Sequence, residues 1–201
     1  MTAVVMRAPQ LDRLEDFVAG VSHLLDRTVE EAEILREASG LLGRLVAVDD
    51  WLPDDYARPD PLRYQQYLLY RDPAARFCVV SFVWAPGQAT PVHDHTVWGL
   101  VGVLRGAELS QAYRAEGGPL SPHGPVHRLS AGEVEAVSPT IGDVHRVTNA
   151  LTDQVSISIH LYGADIGAVR RSTYDEAGTK KPFISGYADA PPLNLTSLGL
   201  S

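Results

Sequence analysis

Cysteine is nearly absent from this chain: Cys78 is the single one in 201 residues. One cysteine closes no internal disulfide, so the core alone must hold the fold, and a reducing cytoplasm is the expected home. Cys78 sits in the apolar run 77–83, where a buried and inert thiol is expected. Positive charge is also short, with 17 Lys and Arg against 25 Asp and Glu, a net −8. That balance argues against a nucleic-acid partner and offers nothing to an anionic membrane surface. An anionic substrate stays open, because a local arginine in a pocket outweighs a screened, distant field. No apolar run reaches the length of a membrane span, and residues 1–11 lack the hydrophobic stretch of a signal peptide. Internal repeats and low-complexity tracts are missing too. What remains, 45% hydrophobic and 21% charged, is the composition of a globular protein, and one domain over 1–201 is expected.

Hydrophobic patterning divides that length. Leu11, Leu14, Phe17, Val18, Val21, Leu24 and Leu25 recur at helical spacing over 11–26. A second helix is predicted from near Thr28, with Glu30 and Glu31 in its first turn, to about Leu42. Residues 1–50 therefore read as a helical cover, and 52–62, with three prolines and several aspartates, as a connecting loop. From about Tyr64 the pattern turns to strands, expected at 76–84, 97–104, 108–114, 126–129, 134–137, 144–149 and 155–162. Turns are expected at 116–119 and 121–125, and a hairpin turn at Ala131-Gly132. Many short strands joined by glycine-rich turns make a mainly β sandwich or barrel. The tail from Tyr174 on, with Pro182, Pro191 and Pro192, reads as irregular.

Within this pattern stands His93-Asp94-His95, and fifty residues later His145. Side chains alternate along a strand, so His93 and His95 share one face and Asp94 points to the other. Two imidazoles met by a third from another strand make a neutral facial metal site with open coordination positions, which suits chemistry rather than scaffolding. Gly87 precedes the pair by six residues and Gly106 closes the segment, matching the first signature of the cupins. The second signature appears at 132–149; its early spacings each run one residue long, but Gly142, His145 and Asn149 fit as written. These signatures imply a cupin-type β-barrel, a jelly roll, with an N-terminal helical region. Where most cupins place a glutamate ligand, this chain has Gly99 and Leu100, leaving three histidines and no carboxylate.

The blocks 91–106, 142–146 and 158–163 together resemble the thiol dioxygenases, the family of cysteine dioxygenase and 3-mercaptopropionate dioxygenase. The resemblance runs from about Arg63 to Arg171, which sets a barrel over 63–171 and a tail over 172–201. Iron(II), Fe(2+), suits three neutral imidazoles; with no carboxylate its full charge remains to bind a thiol as thiolate. The resemblance implies that both atoms of O2 then pass to sulfur, giving a sulfinate. The implied partners are a small thiol and O2.

Ser158, His160 and Tyr162 fall at i, i+2 and i+4 of one strand and so share a face. The resemblance places such a row beside the metal in a catalytic role. It also bears on substrate. Animal-type cysteine dioxygenases hold the substrate carboxylate with an arginine where this chain has Gln66, and crosslink a cysteine to the tyrosine where it has Gly99. The mercaptopropionate branch has glutamine at the first position and an arginine nine residues after the tyrosine, here Arg171. Gln66 and Arg171 are thus the implied substrate-binding residues, with Arg170 adjacent and periodicity unable to choose between the two arginines. The implied reaction is 3-mercaptopropionate to 3-sulfinopropionate, with cysteine or mercaptosuccinate as alternative substrates. Two other readings remain open: a zinc hydratase or hydrolase built on three histidines, and a cupin that binds a metal without catalysis.

Overall fold

The computed structural model describes residues 11–114, 118–191, 193 and 195; the start of the expected helical cover, Glu116-Gly117 of one expected turn and the end of the tail lie outside them. Helices α1 (Asp12–Arg27) and α2 (Glu31–Val46) form where the apolar spacing requires, α2 running a turn beyond the expected end. They bury Leu14, Phe17, Val18 and Val21 of α1 and Leu35, Ala38, Leu42 and Leu45 of α2 in one core. A single 3₁₀ turn, Asp54–Tyr56, leads into the strands.

The strands are β1 (Gln65–Arg71), β2 (Cys78–Trp84), β3 (Val92–His93), β4 (Gly99–Arg105), β5 (Ala107–Arg114), β6 (Ser121–Ser130), β7 (Val134–Val137), β8 (His145–Asn149), β9 (Ser156–Tyr162), β10 (Arg171–Tyr174) and β11 (Lys180–Phe183). They make a five-stranded sheet in the order β1-β2-β9-β4-β7 and a six-stranded sheet in the order β11-β10-β3-β8-β5-β6. The assigned pairings are all antiparallel. This is the mainly β jelly roll with N-terminal helices that the signatures imply.

Strand β9 shows how the layers are built. All seven of its residues are buried, but its two faces differ. Ile157, Ile159 and Leu161 join the core shared with the helices. Ser156, Ser158, His160 and Tyr162 take the opposite face, the barrel interior, where Tyr162 packs with Phe82, Trp84 and Val147. Helix α2 can lie close on the outside because β4 has Gly102, where a Cβ would stand 2.9 Å from Leu42. Cys78 is fully buried, with its thiol pushed up to about 11 by burial, as expected of an inert core thiol.

Several expected boundaries differ. Residues 121–125 are not a turn but the first half of β6, an edge strand, where prolines cost no ladder hydrogen bond. Ala131-Gly132 joins two different sheets rather than a hairpin. The tail expected to be irregular over 172–201 contains a hairpin, β10 with β11, and β10 pairs in turn with β3. No helix among the described residues is long and apolar enough to cross a membrane.

Candidate metal centre and active site

His93 on β3 and His145 on β8 are register partners across the six-stranded sheet. His95 lies beyond the end of β3, so a turn, not strand alternation, aims it. That turn has Thr96 at φ 62°, a costly angle for a β-branched residue. Asp143 holds it there: its carboxylate accepts the backbone N–H of His95 at 3.0 Å and of Thr96 at 2.9 Å. The three imidazole rings form a nearly equilateral triangle, with centroids 4.8, 4.9 and 4.9 Å apart. One nitrogen of each lies within 4.8 Å of the others, and all three residues are buried.

Each ring is held by its Nδ1 edge. His93 Nδ1 meets the Pro91 carbonyl at 3.1 Å, His95 Nδ1 meets Asp143 Oδ1 at 3.0 Å, and His145 Nδ1 meets Ser110 Oγ at 3.3 Å. A carbonyl and a carboxylate only accept, so His93 and His95 carry their proton on Nδ1 and present an Nε2 lone pair. Burial, then the nearby His95, lowers His93 to about 3. Burial, then His93, likewise takes His145 well below its ordinary value. Neutral imidazoles with their second nitrogen engaged are the donor set a transition metal requires, so the residues fit a bound ion. Burial opposes ionisation of Asp143, but its hydrogen bonds to the His95 ring and the two backbone N–H groups win, and its carboxyl lies below the usual range.

Asp94, just beyond the end of β3, does not join the histidine cluster. It is nonetheless buried, accepting the Ser172 backbone N–H and the Tyr174 hydroxyl, each at 2.7 Å, and so ties β3 to β10.

The row on β9 forms a continuous line. Ser158 Oγ lies 2.8 Å from His160 Nε2, and His160 Nδ1 lies 2.7 Å from the Tyr162 hydroxyl. Phe82 stacks on the His160 ring at 3.9 Å, and Tyr162 stacks beside His95 at 5.5 Å. The structure thus brings the row and the triad together. Burial raises Tyr162, keeping it a neutral phenol. Gly99 is its register partner, and a Cβ there would stand 2.7 Å from the Tyr162 ring.

Arg171 opens β10 and is buried, whereas Arg170 is exposed, so only the former faces inward. Its Nη2 donates to Ser185 Oγ at 2.7 Å and its guanidinium covers the Phe183 ring at 4.7 Å. Its charge acts on His93, His160 and Tyr162. Its Nε is buried without a hydrogen-bond partner among the described residues, and so is Oε1 of Gln66. A cavity of about 360 Å³ adjoins these groups, lined by Tyr64, Gln66, Phe183 and Ser185 among others. Neither the three histidines nor Arg171 lines it; the cavity reaches the arginine only through Phe183 and Ser185, which touch the guanidinium.

Sequence reasoning missed the groups that hold the histidines. Asp143 stands two residues before His145, inside the second signature, and a carboxylate there was a usable signal. Ser110 and Ser185 gave none, since their roles depend on pairing between distant strands.

Two antiparallel sheets around an inward three-histidine cluster define a cupin with a candidate metal site. The chain belongs to the cysteine dioxygenase type I family, which it matches over residues 46–176. Similar solved structures include a protein with a double-stranded β-helix domain from Klebsiella pneumoniae, 22% identical with a TM-score of 0.44, covering 55% of this chain and 85% of that one. A cupin superfamily protein from Desulfitobacterium hafniense is 13% identical with a TM-score of 0.43, covering 57% and 91%. Family and fold support a function of the thiol dioxygenase type.

Proposed function

We propose that this chain is an iron(II) thiol dioxygenase acting on a small mercapto-acid, 3-mercaptopropionate in preference to cysteine. The net change is RSH + O2 → RSO2⁻ + H⁺: sulfur gives up four electrons and O2 takes them, so no further reductant is needed. The observations that support the substrate choice are a buried arginine with an unpartnered Nε, whose charge acts on His93 of the triad, and an unpartnered Oε1 on Gln66.

His93, His95 and His145 would hold the iron through Nε2. When bound, iron(II) supplies the acidity that favours thiolate over thiol and open positions at which sulfur and O2 can meet. Arg171 takes the carboxylate, its Nε and an Nη forming a fork suited to two oxygens. Rotation of the Gln66 amide turns its NH2 to the same carboxylate. Anchored there, the substrate needs no amine to reach the triad with its sulfur. Tyr162, a neutral phenol, donates a hydrogen bond to the reacting atoms, and His160 and Ser158 fix its hydroxyl. Phe82, Trp84 and Val147 keep bulk water from that side of the row.

Arg171→Ala tests the anchor. Losing a buried charge-assisted contact should cost about 2–5 kcal/mol of transition-state stabilisation for 3-mercaptopropionate. Cysteamine, which has no carboxylate, should lose little kcat/KM. Equal losses on both thiols would remove Arg171 from the role.

A further inference from the structure

The segment 183–188, from the end of β11 onward, is bonded to both residues that the scheme above gives to the substrate carboxylate. β11 pairs with β10 so that Phe183 stands opposite Arg171. Its ring lies against the Arg171 guanidinium at 4.7 Å. Two residues on, Ser185 returns to the same side and its Oγ accepts from Arg171 Nη2 at 2.7 Å. Ile184 between them is 60% exposed. Further along, the Ala188 N–H donates to the Gln66 carbonyl at 2.8 Å.

The segment is pinned along its length. Gly186 turns the chain at φ 62°, and its N–H donates to the Gly167 carbonyl at 3.0 Å. The Tyr187 hydroxyl accepts the Gly167 N–H at 2.9 Å and donates to Asp165 at 2.5 Å. Asp165 in turn pairs with Arg71 of β1 at 3.0 Å. With residues 63–66, the same segment lines the cavity of about 360 Å³.

What this segment offers Arg171 carries no charge. Arg171 is only 4% exposed, and a guanidinium taken out of water calls for a carboxylate to match it. Among the described residues no acid pairs with it: its side chain bonds to Ser185, and its Nε is left over. A serine hydroxyl and an aromatic face hold a cation in place without cancelling it. An aspartate at 185 would hold the same nitrogen and neutralise it. An oriented, uncancelled guanidinium beside a cavity is a receptor for an anion with two oxygens.

We propose that Ser185 is a positioning residue of the carboxylate site: its hydroxyl fixes the Arg171 guanidinium over Phe183 and leaves its charge free, so the C-terminal segment takes part in selecting a thiol that bears a carboxylate. This rests on the reading of Arg171 as the anchor, and not on turnover. Calorimetric titration of the iron(II)-loaded full chain without O2, with 3-mercaptopropionate and with cysteamine, tests it. Ser185 is only half-buried, so its variants should fold. Ser185→Ala should bind 3-mercaptopropionate about tenfold more weakly, the scale of one hydrogen bond to a charged group, and bind cysteamine as wild type does. Ser185→Thr keeps the hydroxyl and should restore the affinity. Ser185→Asp supplies the missing counter-charge and should bind 3-mercaptopropionate more weakly than Ser185→Ala. Wild-type affinity in Ser185→Ala, equal weakening of both thiols, no recovery in Ser185→Thr, or an aspartate no worse than alanine overturns the proposal. A wild type that binds no 3-mercaptopropionate removes the anchor, and the proposal with it. A chain that binds as expected yet forms no sulfinate sinks the dioxygenase reading and leaves this result standing.

Discussion

At the scale of single residues, the triad depends on groups that never face the ion. His145 meets only Ser110 through Nδ1, while Asp143 fixes both the His95 ring and the left-handed turn at Thr96. Removing one of three ligands leaves too few donors, so His145→Ala should lose most of its metal by elemental analysis yet keep its far-ultraviolet circular dichroism. Wild-type metal content in that variant would refute the assignment. Tyr162→Phe deletes one hydroxyl from a buried row and keeps the ring. Turnover should fall by roughly ten- to a thousandfold, the range for losing one positioned donor, with metal content unchanged. Unaltered turnover would reduce the row to core filler.

At the scale of elements, β4 and β9 meet where Gly99 faces Tyr162. A methyl group there would stand 2.7 and 2.9 Å from two ring carbons, so Gly99→Ala must displace the ring. Such overpacking costs about 1–3 kcal/mol, so a lowered thermal midpoint is expected together with a loss of turnover resembling that of Tyr162→Phe. Turnover equal to wild type would show that the ring has room. The strands that form this core were legible in the sequence because both faces of β2 and β9 are buried and their residues are β-branched or aromatic. The edges were legible only in part: β7 and the second half of β6 fall where strands are expected, but the first half of β6 and β11 do not. The first half of β6 has Pro122 and Pro125 and is exposed, and β11 reads Lys180-Lys181-Pro182, so both look like loops until a neighbour pairs with them. The ligand triad was legible from its spacing, although the reason given for His95 needed the turn at Thr96 in place of a strand. The choice of Arg171 over Arg170 required burial, which no local pattern supplies.

At the scale of the whole molecule, the buried histidine cluster makes the fold sensitive to acid. His93 is lowered from 6.5 to about 3 by burial and by His95, so in metal-free protein it stays neutral where the unfolded chain already binds a proton. The unfolded state then holds more protons below its histidine value of about 6.5, and stability falls as pH drops from there toward 3. His145 and His160 act in the same direction. The urea midpoint of chelator-stripped protein should therefore decline between pH 7 and pH 5; a flat or rising midpoint would contradict the burial of these rings. All of these arrangements converge on one reaction, and oxygen uptake by the iron-loaded chain tests it most directly, measured with 3-mercaptopropionate, cysteine, cysteamine and mercaptosuccinate alongside sulfinate analysis. The account predicts one O2 consumed per sulfinate formed, with the highest kcat/KM for 3-mercaptopropionate. A strong preference for cysteine would contradict the reading of Gln66 and Arg171, and no uptake with any of the four thiols would contradict the dioxygenase itself.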